Sequence, residues 1–348
     1  RALEVVKLPQ QATTAAPPKG RAPFKPQLVE GGETPPNLPI ANDTREWRHH
    51  DQAARLTGIE VLKESTSTLY VDRSLSYGDK RNLTGIADLL NSANNETFTY
   101  TDNGFLASAT GPYGTIGFSH DGVGNRTSRV TDTGGGPITE SYSIATGSNR
   151  LQSVATSGVT GRSFTYDASG NLTQDQDIFY SQTKVYGWNH PGQIASVTRN
   201  SVPYGSYTYD YLHRMVVRNA PSGAGTMHRV HDLDGNVIAE YHSSGYLMTE
   251  YVWLEDRPTA VIADAGGTPR TLWVHTDHLE RPILMTDAGG SVVWQASFLP
   301  FGEVRSITGT ETLDYRFPGQ WFQMEAGLAY NWHRHYDATT GRDVSPDP

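Results

Sequence analysis

The chain has 348 residues, a net charge of −9, no cysteine, 35 glycines, 18 tyrosines and 7 tryptophans. The absence of a basic stripe argues against wrapping nucleic acid, and the absence of cysteine excludes a disulfide scaffold, a thiol nucleophile and a thiolate metal site. No apolar run approaches the roughly 18 residues that a membrane-spanning helix needs, and the abundance of Gly, Tyr, Thr and Val favours sheet over helix.

Residues 1–44 contain Pro9, Pro17, Pro18, Pro23, Pro26, Pro35, Pro36 and Pro39 among polar and small residues, the composition of an extended linker or tether. The first residue is Arg1 and no signal peptide follows, so the chain is expected to be a piece of a longer polypeptide. Residues 45–67 are expected to be an irregular leading segment. The charged and aliphatic mixture around Trp47 and Leu62 suits either a short helix or a first set of irregular strands.

Repeats are expected over 68–290. The four-residue runs ending at Asp167, Asn189, Asp210, Asp232 and Leu254 lie 22, 21, 22 and 22 residues apart, and the same phase recovers Asp79, Asp102, Asp121 and, further on, Thr276. A fixed period of this size marks a repeat architecture in which each unit is completed by its neighbour. In Phe164-Thr-Tyr166 the alternation puts both rings on one face of a strand. The following Asp167-Ala-Ser-Gly170-Asn171 has the chemistry of a chain reversal, because Asp bonds nearby amides and Gly accepts positive φ. Leu172 then begins a second strand, so one period is a β-hairpin. The Gly-rich stretch Thr131 to Pro137 reads as a hairpin loop of extra length. Residues 291–348 are denser in aromatics and form a separate closing section.

Six ordered motifs in the second half carry a family resemblance. They are Tyr251-Val-Trp-Leu-Glu-Asp-Arg-Pro258, His275-Thr-Asp-His-Leu279 with Arg281-Pro282, Pro300-Phe-Gly-Glu303, Arg316-Phe-Pro-Gly-Gln320, Gly327-Leu-Ala-Tyr-Asn331, and Gly341-Arg342 with Ser345-Pro-Asp-Pro348. Together with the upstream Tyr-Asp turns, they resemble the YD repeats and RHS-repeat-associated core domain of bacterial polymorphic toxins, similar to Rhs effectors and to the C component of Tc toxins. The resemblance implies an all-β fold, a spiralling strip of hairpins forming part of a hollow cocoon, with the core end curling inward to close it. It further implies a C-terminal toxin as enclosed partner, release by aspartyl autoproteolysis, secretion or delivery by bacterial machinery, and association with other shell segments. No cofactor and no nucleic-acid partner is expected.

Departures from the family pattern occur at Ala338 after Asp337, at Glu280 where Gly is usual, and at Asp343 where an aromatic is usual. The family's second Asp-Pro motif is expected beyond Pro348, so residues 291–348 are expected to stop short of the cleavage site and the chain to be inactive as it stands.

The candidate catalytic residues are Asp347 and Arg342. Two neighbouring carboxyls cannot both ionise comfortably, so one holds a proton while the other activates water; Asp347 is expected to be one such partner. An Asp beside Pro is also a common turn former. Arg342 is expected to orient the cleavage segment by a forked bond, although Gly-Arg equally completes a hairpin. His275, Asp277 and His278, and His333, His335 and Asp337, have zinc-ligand side chains, but their positions inside packed core motifs argue against metal, as they do for His49-His50. The aromatics at repeat phase are expected to pack one repeat on the next. An alternative is an extracellular adhesion or glycan-binding role, for which those rings would have to face outward.

Overall fold

Alternation and period translate directly into architecture. The computed structural model describes residues 38–40, 42–221, 225–255 and 257–347; of the Pro-rich stretch 1–44, residues 1–37 lie outside it, whereas Leu38–Ile40 is not linker but a strand paired with the next one, Leu38 opposite Glu46 and Ile40 opposite Thr44. Among the described residues, 25 antiparallel strands, from Leu38–Ile40 to Val304–Gly309, follow one another as a single meander. Its first and last strands share no ladder, so the sheet is open. Four short strands, Trp321–Gln323, Leu328–Asn331, Arg334–Asp337 and Arg342–Asp343, make a second sheet. Among the described residues the only helical pieces are two 3₁₀ turns, Glu64–Thr66 and Ser92–Asn94, and no helix is long and apolar enough to cross a membrane.

The stretch 45–67 is regular rather than irregular. Strands Thr44–His50 and Leu56–Lys63 pair along their whole length and continue into the repeats. The long sheet likewise runs past residue 290, through Val292–Phe298 and Val304–Gly309.

Each period is one hairpin. In strand Val159–Tyr166, Phe164 is buried and Thr165 exposed, and the chain reverses where Asp167 Oδ1 accepts from Asn171 N at 2.8 Å and Asp167 N donates to Asn171 O at 3.0 Å. Gly170 adopts φ +93° in that turn, a conformation free of penalty only without a Cβ. Where the repeat lacks Gly, His213 and Glu280 take the left-handed position at φ 64° and 57°.

Two regularities explain why the hairpins curl and interlock. A register shift falls at the YD aromatic position in successive repeats: Tyr77, Tyr100, His120, Tyr166, Trp188, Tyr209, His231 and Trp253. Such a bulge bends its strand and increases local twist. The ring at the bulge then reaches back one repeat. Tyr77 Oη donates to Leu56 O (2.8 Å), Tyr100 to Leu83 O (2.8 Å), Trp188 Nε1 to Leu172 O (2.7 Å), Tyr209 to Ile194 O (2.7 Å) and Trp253 Nε1 to Val237 O (2.8 Å). Every acceptor is the first residue of its strand. The aromatics are therefore structural ties between repeats, with apolar bodies in the core and polar tips satisfied.

The bending brings the start of the sheet against its end. Asn42 Nδ2 donates to Thr286 Oγ1 and Asp287 O, both at 2.8 Å; Tyr70 Oη donates to Gly290 O at 2.7 Å; Arg48 pairs with Glu280 at 3.1 Å. Farther along, Arg129 meets Glu303 at 3.1 Å, and Phe118 packs edge-on to Phe301 with centroids 5.0 Å apart. The closure is made by side chains, without ladder hydrogen bonds.

Candidate functional site

The terminal sheet is held on the buried face of the long one by ion pairs between residues 96 to 175 positions apart. Arg218 grips Glu325 with two nitrogens, at 2.8 and 2.7 Å, and Asp314 with a third at 2.8 Å; Tyr207 Oη donates to Glu325 Oε1 at 3.0 Å. Arg162 bridges Asp175 (2.6 Å) in the repeats and Asp337 (3.0 Å) in the terminal sheet. Such pairs are costly to break, because the surviving partner remains buried and unpaired. Around them Trp321 stacks edge-on against Tyr251 (4.9 Å) and Tyr315 (5.3 Å), and Tyr330 Oη accepts from Met215 N at 2.9 Å. Repeat residues and terminal residues share one hydrophobic core, in which Leu313, Leu328 and Val344 join Tyr186, Ile194 and Val197.

The end of the chain emerges from this frame. Val344 N donates to His335 O at 2.9 Å, and Leu172 N donates to Val344 O at 2.9 Å. Pro346 lies over Gly170, where a Cβ would approach its Cγ to 3.0 Å. Arg342 Nη2 donates to the carbonyl of Asn149. This predicted site residue is thus a strut between the terminal strand and a repeat turn, and its guanidinium pKa is lowered by burial.

Asp347 does not stand alone. Arg334 Nη1 binds Asp343 Oδ2 at 2.7 Å and Asp347 Oδ1 at 2.6 Å, so one nitrogen joins two carboxylates. Burial raises the Asp343 pKa; Arg334 opposes the shift, while Asp347 adds to it. The Asp343 Oδ1 is buried without a hydrogen-bond partner among the described residues, whereas the Asp347 side chain is 80% exposed. The arrangement is chemically asymmetric, with a sheltered carboxyl biased towards its protonated form beside an exposed one. Asp343 was visible in the sequence only as a departure from pattern; its contact with Asp347 depends on Arg334, which a linear reading does not bring in.

Most members of the two sets with zinc-ligand side chains are drawn into other contacts. His275 sits between Glu46 and Thr286, each at 3.2 Å. Asp277 holds its own turn and Arg281, at 2.6 Å. His333 stacks on Trp332, Asp337 is bound by Arg162, and His335 is buried between Tyr207 and Tyr330. His49 pairs with Glu60 at 2.9 Å. The unexpected Glu280 is satisfied by Arg48 and by the Thr276 hydroxyl at 2.9 Å.

Comparison with known proteins adds three findings. The Teneurin YD-shell family model matches residues 42–348. Among curated proteins, the chain is 28% identical over 195 residues to the probable deoxyribonuclease RhsA of Dickeya dadantii, covering 53% of this chain and 14% of that protein. It is 24% identical over 248 residues to the double-stranded DNA deaminase toxin A of Burkholderia cenocepacia, covering 53% and 17%. Among solved structures, the Tc holotoxin pore of Photorhabdus luminescens superimposes with a TM-score of 0.68 at 16% identity, covering 88% of this chain and 17% of that one. That likeness concerns fold. The chain spans less than a fifth of the length of each of these three relatives.

Proposed function

The chain belongs to the Teneurin YD-shell family, and from that premise we propose that it is a wall and end-closure of a shell enclosing a toxin domain that follows it in a longer polypeptide. The observation that carries this reading is the docking of the terminal sheet on the inner face of the strip through Arg218–Glu325 and Arg162–Asp337. A segment fixed in this way gives a defined starting point to whatever follows Pro348. The similarity to a probable deoxyribonuclease and to a DNA deaminase toxin supports a toxic partner; release would accompany delivery out of the producing cell.

In the full-length protein, Asp347 is the exposed carboxyl of a self-cleaving site, Arg334 orients it, and Arg342 anchors the segment to Asn149. Cleavage would add water across the scissile amide, one carboxylate taking the proton and a second acid donating to the leaving nitrogen. The adhesion reading is the weaker one, because the repeat-phase rings spend their polar tips on carbonyls of the preceding repeat.

The test uses the longer natural polypeptide. Mass spectrometry should find a cut downstream of Pro348 in the wild type and an intact chain for Asp347→Asn. The released C-terminal fragment should co-elute with the shell and resist trypsin. A fragment digested as fast as the isolated domain would sink the enclosure reading; unchanged cleavage in Asp347→Asn would return that residue to a turn.

A further inference from the structure

A cavity of about 350 Å³ lies between strand Gln182–Trp188, the turn following Phe298 and the terminal sheet. Its walls include the rings of Phe317, Phe322 and Tyr336 and two cationic side chains, Lys184 and Arg316. Neither cation is neutralised by a direct carboxylate contact among the described residues.

Arg316 is only 7% exposed. Its Nη1 donates to the carbonyls of Leu313 and Tyr315, while Nε is buried with no acceptor among the described residues. Asp314, whose field reaches it, is bonded to Arg218 at 2.8 Å. Lys184 is in the same position. Asp175 and Asp337 act on it from a distance, but Arg162 holds both, and its Nζ rests over Gly327, where a Cβ would come within 2.6 Å. Burial lowers the pKa of both cations. The cavity's own carboxylate, Glu303, is engaged by Arg129 at 3.1 Å. Gln320 lines the same space, its amide oxygen buried and without a hydrogen-bond partner among the described residues.

Uncompensated cations are expensive in a low-dielectric site, and an anion that reaches both offsets the cost. The aromatic walls, with the Arg316 guanidinium 5.3 Å above the Phe322 ring, suit an apolar body rather than a bare ion. We propose that this cavity binds an organic anion, a carboxylate on an apolar body, with Lys184 and Arg316 taking the charge and Phe317 and Phe322 the body. The ligand is a free small acid or an acidic residue of a peptide. The site is independent of the enclosure reading and survives its failure.

The test is calorimetric titration of the intact chain with phenylacetate, its neutral isostere phenylacetamide, inorganic phosphate and N-acetyl-Phe-Glu-amide. Phenylacetate should bind saturably at one site, with the amide at least about tenfold weaker, as loss of a charge-assisted bond requires. Lys184→Met should weaken phenylacetate by a similar factor. In the wild-type protein the Lys184 Nζ resonance should shift on binding, a readout that does not depend on the variant folding. Tighter binding of the dipeptide than of phenylacetate assigns a peptide source, and weaker binding a free acid. Equal affinity for phenylacetamide, no saturation, an unmoved Lys184 resonance, or phosphate binding as tightly as phenylacetate would each overturn the proposal.

Discussion

His335 should make the fold acid-sensitive. His335 is 1% exposed, its ring packs against Tyr330 (5.4 Å) and Tyr207 (6.5 Å), and neither nitrogen has a hydrogen-bond partner among the described residues. Burial pushes its pKa down from 6.5 to about 3. The folded state therefore holds the neutral ring, while the unfolded chain takes up a proton below pH 6.5. Stability is fully present above that value and falls with pH by about 1.4 kcal/mol per unit until the folded ring also protonates near 3. Between pH 7 and pH 5 the loss from this one residue is about 2 kcal/mol. His335→Leu replaces the ring with an apolar side chain and removes the titration. Urea unfolding of both proteins at pH 7 and pH 5 should show the difference between them changing by that amount in favour of the variant at low pH. His278 and His231, held down to about 4 by burial, titrate in both and cancel. Parallel pH profiles, or a His335 resonance titrating near 6.5 in the folded wild type, would refute the reasoning.

Three further outcomes are expected. Glu325→Ala strands Arg218 with Asp314 alone and should cost about 3 kcal/mol in urea unfolding, the low end for a broken buried pair; a loss below about 1 kcal/mol would mean that the terminal sheet does not depend on it. Tyr209→Phe deletes the tie to Ile194 O and should cost about 1 kcal/mol, read as a lowered thermal midpoint with unchanged circular dichroism. Asn42→Ala removes two bonds to Thr286 and Asp287, so hydrogen exchange should accelerate around 282–291 while the central repeats stay protected; uniform acceleration would argue against a local seam.

The repeat was legible because its cues are local. Phe164 and Tyr166 alternate, Asp167 and Gly170 make the turn, and the same signals return every 21 or 22 residues. The stretch 45–67 was ambiguous because its pattern around Trp47 and Leu62 fits two periods equally; the choice was made by pairing with the neighbouring strand, from Thr44 opposite Lys63 to His50 opposite Leu56. What joins the terminal sheet to the strip was not legible. Arg218 and Glu325 are 107 positions apart, and Arg162 and Asp337 are 175 apart. The candidate site was half visible: Asp347 stood out by motif, but its union with Asp343 exists only because the preceding strand delivers Arg334 to both.

The bulge at each YD aromatic has a consequence for size. Because such units carry their own kinks, the curvature of the strip is a property of one hairpin, and its extent is a matter of copy number. Whole hairpins could be added or removed while each neighbouring ring still found a carbonyl one unit behind. Insertion of a single strand would be another matter: all later turns would change edges and the closing sheet would meet the wrong rim. A strip built this way can change its length only in steps of one unit.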